Sequence, residues 1–67
     1  MTVKYRIERI VLTRMEKGWS RSELARRARV AQSSVSRLEA GLLKSPAMVR
    51  KVSKALGLRM ADMIVES

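Results

Sequence analysis

Cysteine, histidine and phenylalanine are all absent from this chain of 67 residues, and each gap removes a class of explanation. Without cysteine there is neither a disulfide framework nor a thiolate metal site to hold so small a domain together, so its core has to be apolar packing. Without histidine the commonest general base and metal ligand is gone, and no cluster of carboxylates replaces it. An enzyme is therefore not expected, and no catalytic residue, cofactor site or metal site is assigned. The aromatic share is 3%, Tyr5 and Trp19, which leaves no row of rings on which unpaired bases could stack. No apolar run is long enough to cross a bilayer and no signal-peptide core is present, so the reading is a cytoplasmic protein with no membrane role.

What the chain has in excess is positive charge. Fifteen Lys and Arg stand against six Asp and Glu, a formal net charge of +9, which calls for an anionic partner: nucleic acid, a membrane surface or an acidic protein. The length fits one small domain over residues 1–67, burying about 60% of the surface its unfolded form exposes.

Gly18, Gly41 and Gly57 cut the chain into pieces of helical length. Five helices are predicted. The first, about Lys4 to Lys17, sets Val3, Ile7, Ile10, Val11 and Met15 along one stripe. Tyr5 and Leu12 fall opposite, as scattered exposed groups or a protein interface. Arg14 lies within the stripe, where a guanidinium is costly unless paired, and Glu39 is the candidate carboxylate. The second helix opens on Ser20 with Glu23 three residues on, the spacing of a capping box. Its apolar side, Leu24, Ala25 and Ala28, is narrow enough for a close neighbour, while Arg21, Arg26 and Arg27 stay near solvent. Trp19 is expected to pack as a staple against this helix.

Arg29-Val30-Ala31 form a tight turn, with Val30 plugging the corner, into a third helix over residues 32–39. There Val35 and Leu38 share one side while Gln32, Ser33, Ser36 and Arg37 share the other. Ser45-Pro46 supply a cap and a first-turn proline for the fourth helix, whose apolar stripe runs from Met48 to Leu56 opposite Arg50, Lys51 and Lys54. Met60, Met63 and Ile64 share a face of a short fifth helix. The methionines are read as packing groups.

Taken together, Arg14, Lys17-Gly18-Trp19-Ser20, Glu23-Leu24-Ala25, Val30, Gln32 to Glu39, Gly41, Pro46 and Ala55-Leu56-Gly57-Leu58 make the chain resemble the Cro and lambda-repressor type of helix-turn-helix regulators, the xenobiotic-response-element family. The resemblance covers nearly the whole sequence. It implies an all-α fold, a compact five-helix DNA-binding domain with the helix-turn-helix at about residues 20–39, and a buried salt bridge between Arg14 and Glu39. It further implies a third helix seated in the major groove and binding as a dimer. The sequence departs from the family pattern at Arg29, where glycine is frequent, and at Ala31, where Ser or Thr is. The first costs roughly 1–2 kcal/mol in a left-handed backbone, the second about 1 kcal/mol of capping. Arg59 likewise replaces a capping residue before the fifth helix.

Site roles follow from this docking mode. Arg37 can donate two hydrogen bonds to guanine, with a phosphate clamp or a solvated charge as the plainer role. Gln32 can pair with adenine or simply cap, and Ser33 begins the helix where side chains meet base edges. Ser36 joins them on the base-reading face, although a short hydroxyl bonds its own backbone as readily as DNA. Phosphate contacts are assigned to Ser20 and Arg21 at a helix N-terminus, to Lys44 and Ser45 before the fourth helix and, by resemblance, to Ser34; ordinary capping and solvated charge are the alternatives. The expected function is a sequence-specific double-stranded DNA-binding regulator, a repressor or autoregulator acting as a homodimer on a pseudo-palindromic operator. The competing readings are an antitoxin whose partner is a protein toxin, and a restriction-modification controller protein.

Overall fold

The computed structural model describes residues 3–43 and 45–66. Its order is β1 (Val3–Tyr5), α1 (Ile7–Glu16), α2 (Arg21–Ala28), α3 (Gln32–Glu39), α4 (Pro46–Ala55), α5 (Met60–Met63) and β2 (Ile64–Glu66). Among the described residues five helices are present, as expected, and the chain folds as an all-α domain carrying one small terminal ribbon.

That ribbon corrects both ends of the sequence reading. Residues 3–5 do not begin the first helix but pair antiparallel with β2, with Val3 opposite Glu66, Lys4 opposite Val65 and Tyr5 opposite Ile64. Val, Tyr and Ile suit a pleated ribbon, and Ile64-Val65 supply a β-branched partner run. The Arg6 amide then donates to the Met63 carbonyl at 2.7 Å, which ties the start of α1 to the end of α5. Ile64 accordingly leaves the fifth helix, and Tyr5 packs half-buried against the core instead of facing outward from a helix.

Ile10, Leu24, Val35, Leu38, Val49, Val52 and Met63 are fully buried, so every helix sends at least one side chain into the same core. Met15 does not join them: it is 62% exposed. At about 100° per residue, Ile7, Ile10 and Arg14 define the inward side of α1, and Met15 falls roughly a quarter turn off it. Leu12 lies further round and is exposed as well.

Three helix ends close on a left-handed glycine, Gly18, Gly41 and Gly57. The end of α2 has the same geometry without one. Arg29 sits at φ 58°, with its amide bonded to the Arg26 carbonyl and the Val30 amide to the Ala25 carbonyl. This is the Schellman pattern, and an arginine there carries backbone strain of roughly 1–2 kcal/mol that a glycine would not. The start of α3 is equally plain, since Ala31 provides no side-chain cap. Arg59 does not cap α5 either; it pairs with Asp62 at 3.2 Å. By contrast Ser45 caps α4, accepting from the Met48 amide at 3.4 Å.

Among the described residues one buried side-chain polar atom goes unmatched. Ser53 is fully buried in α4, and its Oγ has no hydrogen-bond partner. A buried, unsatisfied hydroxyl destabilises by about 1–3 kcal/mol, while alanine keeps nearly the same volume and favours the helix. Ser53→Ala is expected to stabilise by about 1 kcal/mol, raising the Tm by roughly 4–8 °C in a domain of this size. Thermal unfolding followed by circular dichroism checks this, and an unchanged or lower Tm contradicts it.

Candidate nucleic-acid interface

The candidate interface is the outer face of α3, and its pose is fixed from behind. Val35 and Leu38 are fully buried, while Gln32, Ser33 and Arg37 are exposed and Ser36 is half-buried. Eight residues are too few to form a stable helix alone, so α3 exists because these two aliphatics are buried and its end is tethered.

The tether is ionic. Arg14 Nε donates to Glu39 Oε2 at 2.7 Å and Arg14 Nη2 to Glu39 Oε1 at 3.3 Å, the side-by-side fork that matches guanidinium to carboxylate. The two side chains are 12% and 5% exposed. A third bond, from Arg14 Nη1 to the Trp19 carbonyl at 2.8 Å, brings in the loop that enters α2. Arg21 adds a second cation, its Nε 3.0 Å from Glu39 Oε1, but its own side chain is 55% exposed. Arg14 and Glu39 thus meet as the sequence predicted.

Adjacent residues of the first turn of α2 hold opposite ends of α3. Arg21 reaches Glu39, and the Ser22 hydroxyl donates to Gln32 Oε1 at 2.6 Å. Ser22 was not among the sequence candidates. Only the fold shows it beside Gln32, because the two are ten residues apart across the turn. The contact orients the Gln32 amide and leaves its nitrogen without a protein partner among the described residues.

The remaining sequence candidates are placed as follows. Ser20 is exposed and caps α2, its Oγ accepting from the Glu23 amide at 3.0 Å. The reciprocal half of the expected capping box is missing, because the Glu23 carboxylate turns to Arg27 Nε at 2.7 Å and to Arg26. Two guanidiniums offer that carboxylate more than one backbone amide does. Desolvation pushes the Glu23 carboxyl upward, but the hydrogen bonds and charges of Arg27 and Arg26 outweigh it and hold the group below its ordinary 4.5. Ser34 is half-buried, as is Ser45, which spends its Oγ on the α4 cap. Lys44 lies outside the described residues. Trp19 is half-buried against the core as expected, with the Arg27 guanidinium 4.3 Å and Lys17 Nζ 5.2 Å from its ring centre. Val30 packs at the corner. Among the described residues no group of acidic side chains is arranged to hold a metal ion, and no helix is long and apolar enough to cross a membrane.

A family model described as helix-turn-helix matches residues 12–63, from the second half of α1 to the end of α5. The chain belongs to this family, the Cro and lambda-repressor type of helix-turn-helix DNA-binding regulators. No curated protein and no solved structure matches the chain. Double-stranded DNA is therefore the ligand class against which the face of α3 is to be judged.

Two measurements test this geometry. Glu39→Gln leaves Arg14 without its counter-charge at a nearly buried position and is expected to cost about 3 kcal/mol in urea unfolding, whereas Arg21→Ala should cost no more than about 1 kcal/mol. Equal losses would contradict the assignment of Arg14 as the anchor. For Glu23, a pH titration followed by its carboxyl carbon resonance is expected to give a midpoint below 4.5. With its folded pKa depressed, its stabilising share is complete above the unfolded pKa and disappears as the pH falls through the folded one.

Proposed function

We propose that the chain is a sequence-specific regulator of transcription, a repressor or autoregulator, that lays α3 in the major groove. The observation that carries this reading is the two-sidedness of α3: Val35 and Leu38 at zero exposure behind, Gln32, Ser33 and Arg37 exposed in front. Arg37 has no carboxylate within ion-pair distance among the described residues, so its guanidinium is available for the O6 and N7 acceptors of a guanine. Gln32, steadied by Ser22, offers its amide nitrogen to a base acceptor at the start of the helix, with Ser33 and Ser36 on the same side. In this reading Ser20 and Arg21 hold one phosphate through the exposed N-terminus of α2, while Ser34 and the Lys44-Ser45 segment hold others. Arg21 brings a net positive charge to that contact, since the single Glu39 carboxylate is shared by two arginines.

A helix of eight residues reads only a few base pairs, so useful specificity calls for two copies on a pseudo-palindrome, with half-sites one helical turn or about 10 base pairs apart. The proposed setting is the cytoplasm, with the domain as a DNA-binding unit and no chemistry of its own.

Selection of bound duplexes from a random pool is expected to return a short two-fold-related motif. On that duplex Arg37→Ala should relax one base position at a cost of about 1–3 kcal/mol, and log affinity should fall linearly with log salt concentration. Loss of affinity without loss of preference in Arg37→Ala would move that residue from base to phosphate. A pool with no enriched sequence would overturn the proposal.

A further inference from the structure

Away from the face of α3, positive charge collects across α4. A cleft of about 430 Å³ is lined by Arg27, Ala28, Arg29, Lys51, Lys54 and Ala55, where the end of α2 meets the second half of α4. A second concavity of about 370 Å³ is lined by Pro46, Ala47, Arg50, Lys51 and Met60. Lys51 belongs to both, so the two adjoin as a band that runs along one side of α4. Neither is lined by a carboxylate.

Four of the five cations lining this band are uncompensated. Arg27 is fixed as a wall by Glu23 and the Trp19 ring, but Arg29, Arg50, Lys51 and Lys54 have no carboxylate within ion-pair distance among the described residues. Like charges gathered on a concave surface raise the local potential and draw in anions. Arg29 sharpens the point, because it occupies a left-handed turn position where glycine closes three other helices. A strained residue at such a place is a reason to look for a function. Here the strain sets a guanidinium on the rim of the cleft.

No residue of α3 lines either concavity of this band. Helices α3 and α4 turn Val35, Leu38, Val49 and Val52 into one core, and their polar faces point outward from it. On α2, Ser22 touches Gln32 while Arg27 and Ala28 line the cleft with α4. We propose that the band is a second contact surface for a nucleic-acid backbone, holding a run of phosphates from a duplex segment other than the one against α3. An extended polyanion fits better than a small one because the two concavities follow one another along α4, with Lys51 in the wall of both. The domain would then bridge two stretches of DNA, or two turns of one bent duplex, through charge alone on this side. This goes beyond the reading of α3 and does not depend on its sequence preference.

The test is a bridging assay with the intact chain, in which a bead-tethered duplex recovers a second, labelled duplex of unrelated sequence. Lys51→Gln/Lys54→Gln is compared with Lys4→Gln/Arg9→Gln, which removes the same charge from exposed positions elsewhere. The first pair is expected to lower recovery about tenfold while the matched pair stays within about twofold. Arg29→Gly should raise the Tm and yet lower recovery several-fold, a combination that a purely structural role would not give. Binding of the intact chain to its selected duplex alone, measured in parallel, should change no more than about twofold in Lys51→Gln/Lys54→Gln, so failure of the α3 reading and failure of this proposal are seen separately. Equal losses in the two charge-matched pairs, or no recovery by the unaltered chain, would overturn the proposal.

Discussion

The orientation of α3 depends on one buried ion pair. Arg14 reaches from α1 to Glu39 at the end of α3 and, with its third nitrogen, to the Trp19 carbonyl at the entrance to α2. A single guanidinium therefore connects the three segments that frame the outer face. Desolvating such a pair costs several kcal/mol per ion, which the pairing and the extra hydrogen bond only offset, so its contribution is better understood as fixing position than as adding stability. Two aliphatic side chains can bury α3 in slightly different rotations. A bidentate fork cannot be met in more than one.

The acidic residues extend the same logic. Glu39 is shared by Arg14 and Arg21, Glu23 by Arg26 and Arg27, and Asp62 is paired with Arg59. Carboxylates are scarce in this chain, and three of the six bind arginines close to the helix ends they stabilise. The cations left over are not spread evenly. Arg37 stands on the outer edge of α3, and Arg29, Arg50, Lys51 and Lys54 gather across α4. A net charge of +9 thus includes Arg37 on α3 and four cations along α4, with Lys4, Arg6, Arg9 and Lys17 exposed elsewhere.

Much of this was legible in the residues because the signals are local. The helices α2, α3 and α4 follow from Ser20, the Val35 and Leu38 spacing, and Ser45-Pro46, each acting within one turn of chain. The need of Arg14 for a carboxylate follows from its place in an apolar stripe. What was not legible is non-local. A three-residue strand has too little periodicity to show itself, and β1 exists only because β2 arrives from the other end of the chain to pair with it. A helical pattern continued backward through Lys4 and Tyr5 therefore had nothing to stop it. Met15 failed for a related reason: the wheel identifies an apolar stripe, but the neighbours decide which part of it faces inward, and here the guanidinium of Arg14 took that direction. The contact between Ser22 and Gln32 lies across a turn whose geometry no spacing rule specifies.

The central claim is that the edge formed by Gln32, Ser33, Ser36 and Arg37 meets base edges while the Arg14–Glu39 pair holds it there. Intermolecular nuclear Overhauser effects, measured on the chain bound to its selected duplex, test this most directly. The account predicts contacts from these four side chains to major-groove base protons, with the Arg14 guanidinium protons still hydrogen-bonded to Glu39. A complex in which the outer face of α3 stays in water while DNA lies against another surface would contradict it.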